Sequence, residues 1–245
     1  MSLLADLDPD VAYPATLPEM AESWLHTEVR IATYAALRGH FAGRPGCFVG
    51  SDFNVYYRPR PDSAFVVPDI FVSFGANPDA IERAASYRVW DSGAPRFVLE
   101  ITSKRTHRRN REVKPAIYLE MGVEEYWRFD PTGEFDTPAL QGHRRTSSAW
   151  APIEVTPDGG RTLGRSRALG LDLHAEASRL RLRDPRTGLW LPDHNDTRVE
   201  RDAAEARATD AEAARRAAED RAAAAEAELA ALRRRMSDKD GDTPR

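Results

Sequence analysis

The sequence contains one cysteine, Cys47, in 245 residues. No intramolecular disulfide is possible, and no cysteine-based zinc centre can form. Cys47 lies in the apolar stretch GCFV at the start of an expected strand, which reads as a small buried hydrophobe rather than a reactive thiol. Long apolar runs are also missing: none approaches the roughly 20 residues that span a bilayer. The opening residues, MSLLADLDPDVAYP, carry acids where a secretory signal would place Lys or Arg ahead of an apolar run. A cytoplasmic protein with no membrane partner is expected. Nor is there an excess of positive charge, since the formal net charge is −4. That balance argues against a broad nucleic-acid-binding surface and leaves room only for a local one.

What is present divides the chain into four stretches. Residues 1–17 form an N-terminal arm and 18–197 a folded domain. Residues 198–236 form a helical tail, and 237–245 a polar, disordered end. Within the domain, residues 18–41 read as a helix with the stripe Leu25, Val29, Ala32, Ala36 and glycines at its end. GCFVGSDFNVYYRP and FVVPDIFVSF read as strands, rich in Val, Phe, Ile and Tyr. NPDAIERAASYRVWDSGA is polar and reads as irregular or weakly helical. APRFVLEITS is the strongest strand of the chain. A helix is expected from Asn110 to Met121, ended by Gly122, followed by the strand VEEYWRFD. Strand, helix, strand suggests a crossover unit with helices against a sheet. Short β patterns broken by PDGG and DPRTG then suggest hairpins up to about Leu191.

Two acids stand out because their neighbours are apolar. In PRFVLEITS, Phe97, Leu99 and Ile101 face one way, and Val98, Glu100 and Thr102 the other. Asp69 sits in VVPDIFVSF. An unpaired carboxylate in such surroundings costs several kcal/mol or protonates. Two of them on neighbouring strands can instead share a hard divalent cation that keeps waters for phosphate chemistry. Each acid also has a structural explanation, Asp69 as a turn cap after Pro68 and Glu100 as the partner of an Arg.

An ordered series surrounds the two acids. It runs from Pro68-Asp69 to Pro95 leading into Glu100-Ile101-Thr102-Ser103. Lys114 and Tyr118 follow at helical spacing, then Gly122-Val123-Glu124-Glu125-Tyr126-Trp127, LGLDL and LRLRDPRTGLWLP. The series resembles the Uma2-like branch of the PD-(D/E)XK nuclease superfamily over roughly residues 18–192. The resemblance implies an α/β fold, a restriction-endonuclease-like mixed sheet flanked by helices, here with an alanine-rich long C-terminal helix. It implies a Mg²⁺ or Mn²⁺ site on Asp69, Glu100 and the backbone carbonyl of Ile101, with Glu28 as a candidate third carboxylate. Thr102 stands where the wider superfamily has a lysine. In this branch the lysine comes from the next helix, which points to Lys114, with Lys104 as the rival. Pro115 predicts that this helix starts late or kinks, shifting Lys114. Asn110 occupies a place where members often carry an acid.

The activity implied is metal-dependent hydrolysis of DNA phosphodiester bonds, an endonuclease. Lys104, Arg105, Arg108 and Arg109 are candidate phosphate contacts, set against a solvated basic loop. His26 reads as a surface or packing histidine with a lesser claim on the cleft. Tyr126 and Trp127 read as core. The alternative function is a catalytically weak DNA- or protein-binding module with a tail for association, since fold alone does not establish activity. In the tail, Ala204, Ala208, Ala211, Ala218, Ala222, Ala225, Leu229, Leu232 and Met236 keep one 4,3 spacing interrupted by Arg215, a heptad seam. The seam suggests a homo-oligomer, and a solvent-exposed single helix is the other reading.

Overall fold

A computed structural model describes residues 24–59 and 64–240. The chain divides into two compact units, one ending at His194 and the other beginning at Asn195. The first unit opens with α1 (Trp24–His40), β1 (Cys47–Ser51), β2 (Val55–Tyr56), β3 (Phe65–Val66) and β4 (Ile70–Phe74). Next come α2 (Pro78–Ala84), β5 (Tyr87–Arg88), α3 (Val89–Ser92) and β6 (Phe97–Ile101). A π-helical turn (Arg109–Val113) runs into α4 (Lys114–Met121) and then β7 (Glu125–Phe129). Six strands complete the unit: β8 (Leu140–Arg145), β9 (Trp150–Ile153), β10 (Val155–Asp158), β11 (Arg161–Ser166), β12 (Leu171–Glu176) and β13 (Arg179–Arg183).

The central sheet has six strands in the order β1-β4-β6-β7-β8-β9. Its one parallel pair is β6–β7, joined through α4, and the other neighbours are antiparallel. This is the mixed α/β architecture that the strand–helix–strand pattern implies. Side-chain alternation along β6 sorts the core. Phe97, Leu99 and Ile101 join Val29 and Leu37 of α1 and Leu171, Leu173 and Leu182 of the sheet β10-β11-β12-β13. Val98, on the opposite face, joins Tyr118 and Met121 of α4 with Val55, Val66 and Tyr87 of the small sheet β3-β2-β5. Trp127, fully buried, needs glycine on both sides: a Cβ at Gly142 or Gly164 would come within 2.6 Å of its ring. Beside it, Glu125 is buried, accepting from Ser166 Oγ (2.6 Å), Arg144 Nη2 (2.9 Å) and the amide of Arg167 (3.0 Å), which ties β7 to the second sheet.

Several boundaries differ from the sequence expectation for local reasons. FVVPDIFVSF does not form one strand. Pro68 has no amide hydrogen to continue a ladder, so β3 and β4 fall in different sheets and Asp69 sits just ahead of β4. The segment expected to be irregular or weakly helical holds two short helices, α2, capped by Asn77, whose side chain accepts from the Ala80 amide (3.2 Å), and α3, with β5 between them. Helix 18–41 is seen from Trp24 onward, and residues 18–23, like the arm 1–17, lie outside the described residues. The second unit carries α5 (His194–Asp240), which begins earlier than residue 198 and runs past 236. Residues 237–240, expected to be disordered, are its last helical residues. Every residue of 203–222 is exposed. Among the described residues no helix is long and apolar enough to cross a membrane.

Candidate active site

Glu100 is the next-to-last residue of β6 and is fully buried. α4 meets it with two side chains one helical turn apart, as i, i+4 spacing requires. Lys114 Nζ donates to Oε2 at 2.7 Å, and the Tyr118 hydroxyl donates to Oε1 in a short hydrogen bond. Lys114 Nζ also donates to the carbonyl of Val67 at 3.1 Å. The α-helix starts late, as Pro115 predicts, at Lys114 rather than Asn110. The π turn ends at Val113, α4 restarts at Lys114, and Pro115 falls in its first turn, where no intrahelical amide bond is required. Gly122 closes α4 in the left-handed conformation, φ 91°. Burial pushes the Glu100 carboxyl up to about 7; the Lys114 charge pulls against this, and the Asp69 charge adds to it.

Asp69 takes over where the backbone ladder stops. The β4–β6 register ends at Ile70↔Leu99, and the next free amide of β6, that of Ile101, donates to Asp69 Oδ2 at 2.7 Å. The same oxygen lies 3.2 Å from His26 Nε2, carried by α1. Burial works to raise the Asp69 carboxyl. The His26 hydrogen bond, the Lys114 charge and the Ile101 amide outweigh it and hold the group below the ordinary carboxylate range. His26 is 3% exposed. Helical spacing beside the α1 stripe favours a surface or packing role and leaves the cleft as the lesser reading, because nothing local shows that α1 reaches the residue before β4. Glu28, one half-turn on, is exposed and does not line the cleft described next.

A cleft of about 1080 Å³ opens over this pair. His26, Asp69 and Lys114 line it, with Lys104, Arg105 and Arg109 along the basic loop and Phe65 and Phe135 among its apolar walls. Arg108 is exposed outside it. Lys104 does not continue the alternation of β6. The strand stops at Ile101, and Ser103 and Thr106 lock a turn through mutual hydrogen bonds, the hydroxyls 2.9 Å apart, so Lys104 ends at the exposed rim. Thr102 donates to Asp136 Oδ2 at 2.9 Å. Asp136 also pairs with Arg111 (3.1 Å) and with buried Arg128 (3.3 Å). The structure thus gathers Asp69, Glu100, Ile101 and Lys114 at one place, puts three of the four basic candidates at its edge, and leaves Glu28 and Arg108 aside. Among the described residues no group of three or more His, Cys, Asp or Glu is placed to hold a metal ion.

Fold and site together define a mixed α/β protein in which an aspartate and a lysine face a cleft with a basic edge, the lysine bonded to a glutamate buried beneath them. The chain belongs to the Uma2 family, described as "Putative restriction endonuclease", whose model matches residues 16–178. A solved structure described as a putative nuclease belonging to DUF820 from Anabaena variabilis ATCC 29413 is similar at 13% identity. The match covers 56% of this chain and 73% of that one, with a TM-score of 0.39. No curated protein matches the chain.

Proposed function

We propose that the protein is a metal-dependent endonuclease that hydrolyses DNA phosphodiester bonds in the cleft over Asp69. One observation carries the reading: Asp69 and Lys114 line a cleft edged by Lys104, Arg105 and Arg109, and Lys114 is bonded to the second carboxylate, Glu100, buried just beneath. The donor set suits a hard divalent cation. Asp69 and Glu100 are near enough for the charge of one to raise the pKa of the other, and together they outnumber the one lysine charge beside them. Asp69, Glu100 and the Ile101 carbonyl are the groups that would hold Mg²⁺ or Mn²⁺, two carboxylates being a usual protein share of magnesium coordination. When bound, such an ion supplies an activated water and offsets charge on the reacting phosphate.

The chain's own residues have separate tasks in this reading. His26 and the Ile101 amide fix the Asp69 carboxylate, and Tyr118 fixes Glu100. Lys114 places positive charge where negative charge develops on the phosphoryl oxygens. The basic rim attracts the DNA backbone without reading its sequence.

The test is cleavage of plasmid and linear DNA by the purified chain with Mg²⁺ or Mn²⁺, and its loss with a chelator. Asp69→Asn and Glu100→Gln each lower the rate by orders of magnitude, and Lys114→Ala slows turnover with less effect on metal affinity. Full activity in both acid variants would remove the site. A second reading, a binding module with little catalysis, draws on the complete burial of Glu100 and the occupation of both its oxygens. DNA binding with no cleavage under any metal selects it.

A further inference from the structure

We infer that the cleft takes DNA as an unpaired strand, its bases turned against the aromatic walls and its phosphates toward the basic loop. This rests on the nuclease reading of the site and narrows its substrate class. Phe65, on β3, is 49% exposed and lines the cleft. Phe135 also lines it and stacks nearly face to face on His107, ring centroids 4.8 Å apart and planes inclined by 17°. An exposed ring on one wall and the half-buried Phe135 ring, held by His107 behind it, on another offer flat apolar surface that water solvates poorly. Every nucleobase has a π face to cover such surface, whatever its sequence.

A duplex cannot use these walls. Its bases are stacked inward, it is stiff over about 50 nm, and it presents only groove edges and backbone to a protein. The proposed reacting groups are also recessed, with Lys114 only 7% exposed and Glu100 not at all. A single strand can bend its phosphate into such a recess and splay the flanking bases. The positive charge fits the same occupant: in a chain of net charge −4, Lys104, Arg105 and Arg109 concentrate along one cleft edge.

The experiment measures fluorescence anisotropy of the full chain, with chelator present, on a labelled single strand of about 15 nucleotides and on the same sequence as duplex. The single strand binds at least about ten-fold more tightly. Phe135→Leu keeps apolar volume but removes the ring, and lowers single-strand affinity about ten-fold with duplex affinity unchanged. Phe65→Ala, at an exposed position where folding is not at stake, acts in the same direction, and melting curves confirm that both variants are folded. Duplex binding equal to or tighter than single-strand binding overturns the inference, as does an equal loss on both forms in Phe135→Leu. The two readings fail separately. Metal-dependent cleavage of duplex at least as fast as of single strand removes only the strand preference, whereas no binding and no cleavage of either form removes both.

Discussion

Lys114 carries its charge into a place with almost no water, where it survives because Glu100 Oε2 and the Val67 carbonyl both accept from it. Taking a buried charge out of water costs several kcal/mol, so such a pair is strongly interdependent. Lys114→Met leaves Glu100 beside Asp69 with no cation, and Glu100→Gln leaves the ammonium without its carboxylate. In chelated protein each single variant is expected to lose about 3 kcal/mol of unfolding free energy, while the double variant loses clearly less than the two together. Denaturant titration of the four proteins checks this, and additive losses would show that the pair is not coupled. The faces were legible in the sequence, since strand alternation put Glu100 opposite Leu99 and i, i+4 spacing put Lys114 and Tyr118 on one helix face. Only the family resemblance brought Lys114 to the acids, however, and an Arg was the partner expected for Glu100. His26 was not legible as a partner of Asp69. Its meeting with Asp69 joins residues 43 apart, through the packing of α1 against the sheet, and no local period records that contact.

Elements were read best where one period governs them. β6, β7 and the hairpins β8 to β13 follow alternation and turn chemistry, and Gly122 marks the end of α4. Pro115 marked the place of the irregularity, but not its π form, because a single extra residue in a helical stretch changes no local preference. The loop after β7 was equally silent, although it builds a wall of the cleft. Asp130 organises it from within: Oδ1 accepts from the amide (2.9 Å) and hydroxyl (2.7 Å) of Thr132, and Oδ2 from the amides of Phe135 (2.6 Å) and Asp136 (3.0 Å). Burial works to raise the Asp130 carboxyl, but these bonds outweigh it and hold it below its ordinary value. Asp130→Asn turns an N–H toward backbone donors and is expected to cost about 2 kcal/mol at pH 7. Because the folded group titrates below its unfolded value of about 3.9, this stabilisation is complete above roughly pH 5 and disappears as pH falls through the folded value. Parent and variant should therefore draw together in stability as pH falls below about 4, as measured by urea titration across the acid range. A gap that persists unchanged at low pH would mean that the loop is held by something other than this charge.

At the scale of the whole molecule the two units follow different physics. The first buries apolar faces on both sides of a sheet. The second carries one helix of 47 residues, against 17 in α1, with no glycine or proline between residues 198 and 236. Ala, Glu and Arg favour helix intrinsically, and pairs such as Glu212–Arg216 (2.7 Å) and Arg215–Glu219 (3.5 Å) add a few tenths of a kcal/mol each. An exposed helix of this length gains more from association along its heptad seam than from lying alone in water, but alanine seams bury little area. We therefore expect weak, concentration-dependent self-association through the tail. Truncation after Asp196 should abolish it in sedimentation experiments and remove the larger share of the helical circular dichroism signal, while the melting temperature of the body stays within a few degrees. The seam makes a sharper demand. Ala211→Leu with Ala218→Leu adds apolar area at two seam positions and should tighten association at least about ten-fold. Ala213→Leu with Ala217→Leu adds the same area off the seam and should leave it unchanged. Arg215 interrupts the seam with a charge, so Arg215→Leu should tighten association further. Equal effects from the seam and off-seam pairs would show non-specific hydrophobic adhesion, and no change in either would leave the tail a single helix standing free in solvent.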